Sequence, residues 1–339
     1  MKAVNWAILA PGSIANRMAE AMQKSKDKTN LNLYAIGSRD LKRSKEFAEK
    51  YGFEKAYGSY KELLSDPKID AVYIANPHAF HFDSIMQCFE AGKHVLCEKP
   101  AVCNLEQLNK VIEKSKEKKL FFMEAMWTAF NPCIQKVKKI IYEKKLIGDI
   151  KHIESTFYIR VPFDPNHRLW APDLAGGALL DLGIYNLYYA MTINNFVPIK
   201  SHSSNVKLVN GIDAWNSVDL TFENGVTTHF QSSCDMPNTI EATIYGTKGF
   251  ISAKLFFLQQ KAEVHVYKGE EGNENDLVET VEAPFDVNGF EYELIDANEN
   301  ILKGKTESDI HSLQRSLDLC TIMAQLRNDW GFKYPFENK

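Results

Sequence analysis

Short apolar runs alternate with amphipathic stretches through the first 125 residues. The apolar runs predict buried parallel strands, and the stretches with a helical period predict helices between them. The predicted strands are Val4–Leu9, Leu31–Ile36, Ala71–Ala75, His94–Cys97 and Leu120–Met123, and the predicted helices are Ser13–Gln23, Leu41–Tyr51, His81–Ala91 and Leu105–Glu117. Such alternation is typical of right-handed βαβ units, so residues 1–125 are expected to form a doubly wound parallel sheet with ligands at the carboxyl ends of its strands.

The rhythm changes after this region. From Asp149 onward, stretches with a period of two, such as residues 152–157 and 262–267, predict strands with one buried face. The predicted helices are Cys133–Lys145, Ala178–Thr192, about Glu291–Leu302 and about Ser308–Arg327. Residues 126–339 are therefore expected to form an α+β domain with a large, mostly antiparallel open sheet. The last helix of this domain, at about Ser308–Arg327, is expected to pack back on the first domain.

Composition and charge exclude several classes of protein. With 45% hydrophobic and 25% charged residues and a net charge of −4, the chain has the composition of a folded globular protein. Lysine and arginine are spread along it, so nucleic acid is not an expected partner. Six cysteines without a CxxC pair, and histidines without HExxH, favour a reducing cytoplasm and no metal site. No apolar stretch approaches the roughly 18 residues of a membrane span, and residues 1–10 predict a strand, so neither a membrane nor an export signal is expected.

A glycine-containing turn joins the first predicted strand to the first predicted helix. Residues 10–15, Ala-Pro-Gly-Ser-Ile-Ala, match G-x-G-x-x-G/A with alanine in the first and third positions. Gly12 lets the backbone approach a pyrophosphate, whose charge a helix N-terminus stabilises. The predicted dinucleotide contacts are Ala10, Gly12, Ser13 and Ile14. A tight turn without a ligand is the alternative, and the position at the start of a βαβ series favours the dinucleotide.

The end of the second strand indicates which dinucleotide is bound. NAD enzymes place a carboxylate there for the ribose hydroxyl, whereas NADP enzymes supply arginine for the 2′-phosphate. Here Ser38 stands in the acidic position, Arg39 follows it, and Asp40 is expected to cap the next helix. Ser38 and Arg39 therefore favour NADP, with NAD as the alternative if Arg39 stacks on adenine instead.

Three further segments carry a family resemblance. They are Asn76-Pro77-His78, the run from Gly92 to Pro100 that ends in Glu98-Lys99-Pro100, and Gly176-Gly177-Ala178-Leu179-Leu180-Asp181-Leu182-Gly183-Ile184-Tyr185. Together with the turn at Gly12 they resemble the Gfo/Idh/MocA oxidoreductase family. The resemblance spans nearly the whole chain, including residues 245–249 and 330–335.

The resemblance implies a fold and an activity. The fold is an N-terminal Rossmann domain and a C-terminal α+β domain whose open sheet mediates a homodimer or homotetramer. The activity is hydride transfer between a nicotinamide and a secondary alcohol or carbonyl of a sugar, polyol or cyclic diol. By position, Lys99 matches the family's catalytic lysine, Asp181 its active-site aspartate, and Glu98 a residue near the cofactor. Tyr185 stands where many members have histidine, which resembles the dimeric dihydrodiol dehydrogenase-like subgroup.

The chemistry of these residue types agrees with such a reaction. Oxidising an alcohol needs a group that accepts the hydroxyl proton, and tyrosine, with an ordinary pKa of about 10, does so when a nearby cation stabilises its phenolate. Asp181 and Tyr185 are four residues apart and so project from one face of a predicted helix. Our hypothesis makes Tyr185 the acid/base, Lys99 the electrostatic stabiliser or proton relay, and Asp181 the orienting group. The roles of Lys99 and Tyr185 are exchangeable.

Other residues are expected around these three. Asn76, Pro77 and His81 are assigned to the nicotinamide end of the cofactor site, although His81 also begins a predicted helix. Trp127, Arg160 and Arg168 are assigned to the substrate pocket, with surface roles as the alternative. Two other functions stay open at this point: a glycosidase that uses NAD for transient oxidation, and a non-catalytic dinucleotide sensor. Such a sensor would need none of Lys99, Asp181 and Tyr185.

Overall fold

The structure is a computed structural model that describes residues 3–269 and 271–338. The chain forms two compact units, Met1–Ala129 with Asp286–Thr321, and Phe130–Phe285 with Ile322–Lys339. The units differ from the two predicted ranges because residues 286–321 group with the first unit. No helix among the described residues has the length and the apolar character that crossing a bilayer requires.

The first unit contains a six-stranded parallel sheet in the order β3-β2-β1-β4-β5-β6. Its elements up to residue 125 are β1 (Val4–Leu9), α1 (Ser13–Ser25), β2 (Leu31–Gly37), α2 (Leu41–Tyr51), β3 (Lys55–Tyr57), α3 (Tyr60–Leu64), β4 (Ala71–Ile74), α4 (His81–Glu90), β5 (His94–Glu98), α5 (Leu105–Lys118) and β6 (Phe122–Ala125). The doubly wound parallel sheet is confirmed. Strand β3 and helix α3 were not predicted, since three and five residues are too few to show a period.

The strand predicted at Leu120–Met123 lies two residues later in the structure, for a local reason. Strand β6 begins at Phe122 rather than at Leu120, because Lys119 takes a left-handed conformation and the Leu120 N–H donates to the carbonyl of Ser115, which closes helix α5. The strands otherwise pack as the apolar pattern requires, with Val72, Val95 and Phe122 buried in one core.

The second unit contains an eight-stranded sheet in the order β14-β13-β12-β11-β7-β10-β9-β8. Its elements are α6 (Pro132–Lys139), β7 (Ile150–Arg160), α7 (Ile184–Ile193), β8 (Ile199–Val209), β9 (Ile212–Phe222), β10 (Thr227–Ser233), β11 (Asp235–Gly246), β12 (Gly249–Lys254), β13 (Lys261–Lys268) and β14 (Glu274–Glu282). Only the β7–β10 pair is parallel among these strands, so the mostly antiparallel sheet is confirmed.

Two helices predicted as continuous in this unit each contain a π-helical turn. The predicted Cys133–Lys145 is α6 followed by a π-helical turn at Ile140–Lys144, and the predicted Ala178–Thr192 is a π-helical turn at Leu179–Gly183 followed by α7. A π-helical turn widens one turn of the helix by about one residue and leaves the apolar pattern of the sequence almost unchanged. The sequence therefore does not distinguish a continuous α-helix from one that contains a π-helical turn.

The chain then forms α8 (Phe290–Leu302) in the first unit and α9 (Leu313–Asp329), within which the unit boundary falls. Helix α9 begins at Leu313 rather than at Ser308. The Ser308 hydroxyl accepts hydrogen bonds from the N–H groups of Ile310 and His311, so this segment is a capped turn that precedes the helix.

Candidate functional site

The turn between β1 and α1 has the geometry of a phosphate-binding loop. Ala10 has a φ of 73°, and its N–H donates to the Gly37 carbonyl at 3.0 Å. A left-handed alanine costs about 1–2 kcal/mol, which explains why glycine is usual at this position of the motif. A Cβ added at Gly12 would meet only the Ala75 carbonyl oxygen, at 3.9 Å, so the front of the turn is open.

The N-terminus of α1 is also suited to an anion. Gly12 supplies no side-chain cap and the first turn contains no acidic residue. Ser13 is exposed and Ile14 half-buried there, so the helix presents the positive end of its dipole and its first N–H groups at the open turn. These features fit the pyrophosphate of a dinucleotide.

Polar groups gather where β2 ends. Ser38 is buried, and its hydroxyl accepts a hydrogen bond from the Asp40 N–H at 3.2 Å. The Asp40 carboxylate accepts from the N–H groups of Lys42 and Arg43, so the predicted capping role of Asp40 is confirmed. Arg39 is exposed beside this cap.

Two residues that the sequence reasoning missed complete this group. The Arg43 guanidinium donates to the Pro11 carbonyl at 3.2 Å and so joins α2 to the glycine turn. Burial raises the pKa of Tyr60, and Arg39 and Arg43 act against that shift, which places both guanidinium groups near the phenol. Two cations, a phenol and a serine form a donor set that suits a phosphate monoester. Arg43 follows Arg39 by four residues across the start of α2, a spacing that could have drawn attention to it.

The residues after β4 are held by one histidine. The Asn76 side chain donates to Ser84 Oγ at 2.8 Å. His81 is completely buried, with Nε2 at 2.7 Å from the Asn76 carbonyl oxygen and Nδ1 at 2.7 Å from the Pro100 carbonyl oxygen. Both ring nitrogens therefore contact main chain of the protein, while Pro77 introduces the short turn between Asn76 and His81.

Lys99 follows the end of β5 and is half-buried between buried neighbours. The Glu98 carboxylate accepts hydrogen bonds from the Tyr73 hydroxyl and, at 3.2 Å, from the Lys99 N–H. Burial, together with the Glu98 carboxylate, raises the pKa of Tyr73 well above its ordinary value. On the other side, the Ala101 N–H donates to Glu124 Oε1 at 2.9 Å. The main chain that carries Lys99 is thus fixed before and after it.

In the second unit, Asp181 has an arginine partner. Arg168 Nη1 and Nη2 donate to the two carboxylate oxygens of Asp181 at 3.1 and 3.0 Å. The Asp181 side chain is 8% exposed and that of Arg168 is 52% exposed. This bidentate pair supplies the charge that a buried carboxylate requires. Asp181 lies within the π-helical turn Leu179–Gly183, a feature frequent at functional sites.

Tyr185 lies in α7, four residues after Asp181, and is 7% exposed. Its ring contacts those of Phe157 and Phe257, with centroid distances of 5.9 and 5.2 Å. These two rings form an aromatic wall beside the buried phenol. Asp181 lies in the π-helical turn and Tyr185 in α7, so the two residues do not share one regular α-helix as predicted.

A second carboxylate holds the π-helical turn. Asp213 Oδ2 accepts from the Leu179 N–H at 2.6 Å and from Asn216 Nδ2 at 2.9 Å. Burial raises the pKa of Asp213 to about 7. Gly177 has a φ of 124°, and a Cβ there would come within 2.2 Å of Asp213 Oδ1, so this approach requires glycine. The sequence reasoning missed Asp213, which has no local signal because it lies 34 residues after Leu179.

The two remaining substrate candidates lie in different surroundings. Trp127 is 5% exposed in the first unit, where the Arg17 guanidinium lies 4.9 Å from its ring centroid and the Phe290 ring packs at 4.9 Å. Arg160 is exposed at the end of β7 in the second unit. Of the two predicted arginines, Arg168 is therefore the one that pairs with Asp181.

Comparison with known proteins agrees with the fold. Residues 4–126 match the Gfo/Idh/MocA family described as an oxidoreductase family with an NAD-binding Rossmann fold, and residues 134–252 match the C-terminal domain of the same family. The trans-1,2-dihydrobenzene-1,2-diol dehydrogenase of Xenopus laevis is 32% identical over 338 residues, which cover 98% of this chain and 100% of that protein. The Mus musculus enzyme of the same name is 33% identical over 342 residues, with 99% and 100% covered.

Solved structures share the fold at lower sequence identity. A 3-ketoreductase from Actinomadura kijaniata, in complex with NADP and TDP-benzene, superposes with a TM-score of 0.84 at 23% identity and covers 96% of this chain and 98% of its own. A levoglucosan dehydrogenase in complex with NADH and L-sorbose gives a TM-score of 0.80 at 19% identity, with 96% and 98% covered.

Proposed function

The chain belongs to the Gfo/Idh/MocA oxidoreductase family, and we propose that it is an NADP-dependent enzyme that interconverts a secondary alcohol and its carbonyl, with a cyclic diol as its first candidate substrate and sugars and polyols as the others. The observation that supports this proposal most is the Arg168–Asp181 pair one helical turn before the buried Tyr185. A carboxylate held by a bidentate arginine, four residues before a buried tyrosine, supplies the oriented polar groups that a proton transfer requires.

In this proposal each residue has one task. Tyr185 takes the hydroxyl proton during oxidation and returns it during reduction. The Lys99 ammonium stabilises the negative charge on the phenolate or alkoxide, and its half-buried position strengthens that interaction relative to water. Asp181, held by Arg168, orients the substrate hydroxyl. When bound, the nicotinamide supplies the hydride acceptor or donor.

The preference for NADP is supported by the groups at the end of β2. Ser38, Arg39, Arg43 and Tyr60 offer two guanidinium groups and two hydroxyls in one place, and Arg43 is tied to the glycine turn through Pro11. A 2′-phosphate adds about two negative charges to the adenosine ribose, which two arginines neutralise more fully than one. Ala10, Gly12, Ser13 and Ile14 would hold the pyrophosphate at the N-terminus of α1.

A cyclic diol is favoured by the aromatic surroundings of Tyr185. Phe157 and Phe257 give the phenol apolar neighbours on which an unsaturated ring can pack. The relatives from Xenopus laevis and Mus musculus are named for a trans-dihydrodiol of benzene, which is such a substrate.

The direct experiment is a screen for turnover. The purified protein is incubated with NADP⁺ or NAD⁺ and with trans-dihydrodiols, inositols or aldoses, while the absorbance of the reduced nicotinamide is followed. We expect oxidation of a cyclic trans-diol, with kcat/KM at least about tenfold higher with NADP⁺ than with NAD⁺. Cleavage of glycosides without net change in the nicotinamide would favour a glycosidase instead, and binding of NADP without any turnover would favour a sensor.

We also propose a homodimer or homotetramer that assembles through the eight-stranded sheet. One face of this sheet buries Ile244, Ile251 and Val264, whereas the opposite face carries the half-buried rings of Tyr245, Phe250, His265 and Tyr267. Phe250 and His265 stack at 4.5 Å. A continuous aromatic face is typical of an interaction surface. Light scattering on the purified chain is expected to give a dimer or tetramer mass, and Phe250→Glu is expected to give monomers.

A further inference from the structure

The loop that carries Lys99 is held by two buried side chains that come from outside it. His81 Nδ1 contacts the Pro100 carbonyl oxygen at 2.7 Å, and Glu124 Oε1 accepts from the Ala101 N–H at 2.9 Å. His81 is 0% exposed and Glu124 is 4% exposed. Both contacts fall within two residues of Lys99, so they restrict the direction in which its side chain leaves the main chain.

The second nitrogen of His81 determines the charge of the ring. Nε2 lies 2.7 Å from the Asn76 carbonyl oxygen, so both ring nitrogens face acceptors that cannot donate. A neutral imidazole has one N–H and could satisfy only one of these oxygens, leaving a lone pair of the ring against a lone pair of the carbonyl. An imidazolium has two N–H groups and satisfies both.

A carboxylate is placed to balance this charge. Glu124 acts on the His81 ring electrostatically, and its Oε2 accepts from Ser316 Oγ at 2.9 Å, with His311 Nε2 at 3.4 Å. The other groups around the ring are Lys99, which acts electrostatically, and His78, whose ring lies edge-on at 5.6 Å. Burial prevails and lowers the pKa of His81 below its ordinary value, with Lys99 acting in the same direction, although the two carbonyl oxygens and Glu124 act to raise it. The two contacts of 2.7 Å to carbonyl oxygens favour the charged ring nevertheless, because each of them needs an N–H on the ring.

We propose that His81 is the positioning residue for Lys99 and that it works as a buried imidazolium, which donates one hydrogen bond to the Asn76 carbonyl and one to the Pro100 carbonyl. The consequence for catalysis depends on the proposed function, whereas the charge of the ring does not. Bridging the two carbonyls fixes the end of β4 relative to the residue after Lys99. Loss of the proton to solvent would break one of the two bonds and loosen the Lys99 loop.

The charge is tested by nitrogen NMR on protein labelled in its histidine rings. The His81 resonances are identified as those missing from His81→Gln. At pH 7.5, both ring nitrogens of His81 are expected to have shifts typical of protonated nitrogen, and in Glu124→Gln the ring is expected to lose its proton at lower pH than in the wild type. Glu124→Gln retains an oxygen for the Ala101 N–H, so it removes the charge and the acceptor for Ser316 Oγ but keeps the contact with the Lys99 loop. One unprotonated ring nitrogen in the wild type at pH 7.5 would overturn the proposal.

The positioning role is tested by kinetics. His81→Gln is expected to lower kcat by about 10- to 100-fold and to change the KM for the alcohol substrate by less than about threefold, because it disturbs Lys99 rather than substrate binding. His94→Gln is the matched control, since His94 lies at the opposite end of β5 and its Nδ1 accepts from the Phe121 N–H. A kcat for His81→Gln equal to that of the control would contradict the role. Absence of turnover in the wild type would instead count against the proposed function and leave the NMR result intact.

Discussion

The segments that carry Lys99 and Asp181 are each held by a buried carboxylate, but the two carboxylates differ in the direction of their pKa shifts. Burial would raise the pKa of Glu124, yet His311, the Ala101 N–H and Ser316 outweigh it, and the pKa lies below its ordinary value. Burial prevails at Asp213 and raises its pKa to about 7. The folded state thus stabilises the charged form of Glu124, which holds the Lys99 loop, and destabilises the charged form of Asp213, which holds the turn that carries Asp181.

The two residues that we propose to be catalytic also differ in the contacts described around them. The contacts around Lys99 act on the main chain, through His81 and Glu124. Asp181 is held through its own carboxylate, by a guanidinium that is half-exposed to solvent. Changes near Lys99 should therefore act on the catalytic step, and changes near Asp181 should act on stability and on catalysis together.

The largest effect is expected from Lys99→Met. It removes the cation that stabilises the phenolate or alkoxide, so kcat should fall by about a thousandfold, while the Kd for NADP stays within about threefold. Steady-state kinetics and a fluorescence titration with NADPH measure these quantities. Lys110→Met, on the exposed face of α5, is the control and should keep wild-type activity. A Lys99→Met enzyme within tenfold of the wild-type kcat would remove this residue from the mechanism.

Arg168→Met should have the next largest effect. It leaves the buried Asp181 carboxylate without its bidentate partner, so kcat/KM should fall by about a hundredfold, and the free energy of unfolding should fall by roughly 1–2 kcal/mol, a value reduced because Arg168 is half-exposed. Kinetics and urea unfolding measure the two losses. Lys207→Met, which removes an exposed cation from β8, is the control.

The two losses distinguish a charge-holding arginine from one that only binds substrate. If Arg168→Met raised KM alone, with no loss of stability, Arg168 would be a substrate contact, and the contrast with the Lys99 loop would disappear. Adding Asp181→Asn to Arg168→Met should recover stability but not activity, since it removes the buried charge that Arg168 no longer balances.

A smaller effect is expected at the end of β2. Arg43→Ala should weaken NADP binding by about tenfold and NAD binding by less than threefold. The 2′-phosphate, which NAD lacks, is the only part of the dinucleotide to which Arg43 is assigned. Isothermal titration with both dinucleotides measures the difference. Lys42→Ala, one residue earlier and exposed, is the control. Equal weakening of NADP and NAD would assign Arg43 to the glycine turn rather than to the phosphate.

The smallest effect on activity, but a distinct effect on stability, is expected from Asp213→Asn. Because the folded pKa of Asp213 is raised above its unfolded value, the folded state retains a proton that the unfolded state loses between about pH 4 and about pH 7. The stability of the wild type should therefore decline with rising pH in this window, and that slope should be absent from the variant.

Glu124→Gln should show the opposite behaviour. A lowered pKa contributes stability above the ordinary carboxyl range and loses it as the pH falls, so the variant should lack part of the acid destabilisation of the wild type. Urea unfolding at several pH values compares the two variants with the wild type. Identical pH slopes in both variants would contradict the contrast between the two carboxylates.

Local patterns predicted most of the first unit and supplied the residues that we propose to be catalytic. The strands of the parallel sheet are continuous apolar runs, and Lys99, Asp181 and Tyr185 lie in short contiguous motifs. The contacts that hold the segments around these residues come from distant parts of the chain. Glu124 accepts a hydrogen bond from Ser316, and Asp213 accepts one from Leu179, which lies 34 residues earlier. No local period records such contacts, which arise only when the units fold.

Three other features were missed for a similar reason, since each of them depends on the folded chain. The π-helical turn at Leu179–Gly183 leaves the apolar pattern unchanged, and the left-handed Ala10 is a property of the folded turn. Arg43 was missed because its role depends on the start of α2 lying beside Pro11.

The most direct measurement of the central claim is a double-mutant cycle with Lys99→Met and Tyr185→Phe. If the two residues act together on one proton transfer, removing the second after the first should cost little, and kcat/KM of the double variant should lie within about threefold of the more damaged single variant. If the two losses in kcat/KM multiply instead, Lys99 and Tyr185 act independently, and the account of one shared catalytic step is contradicted.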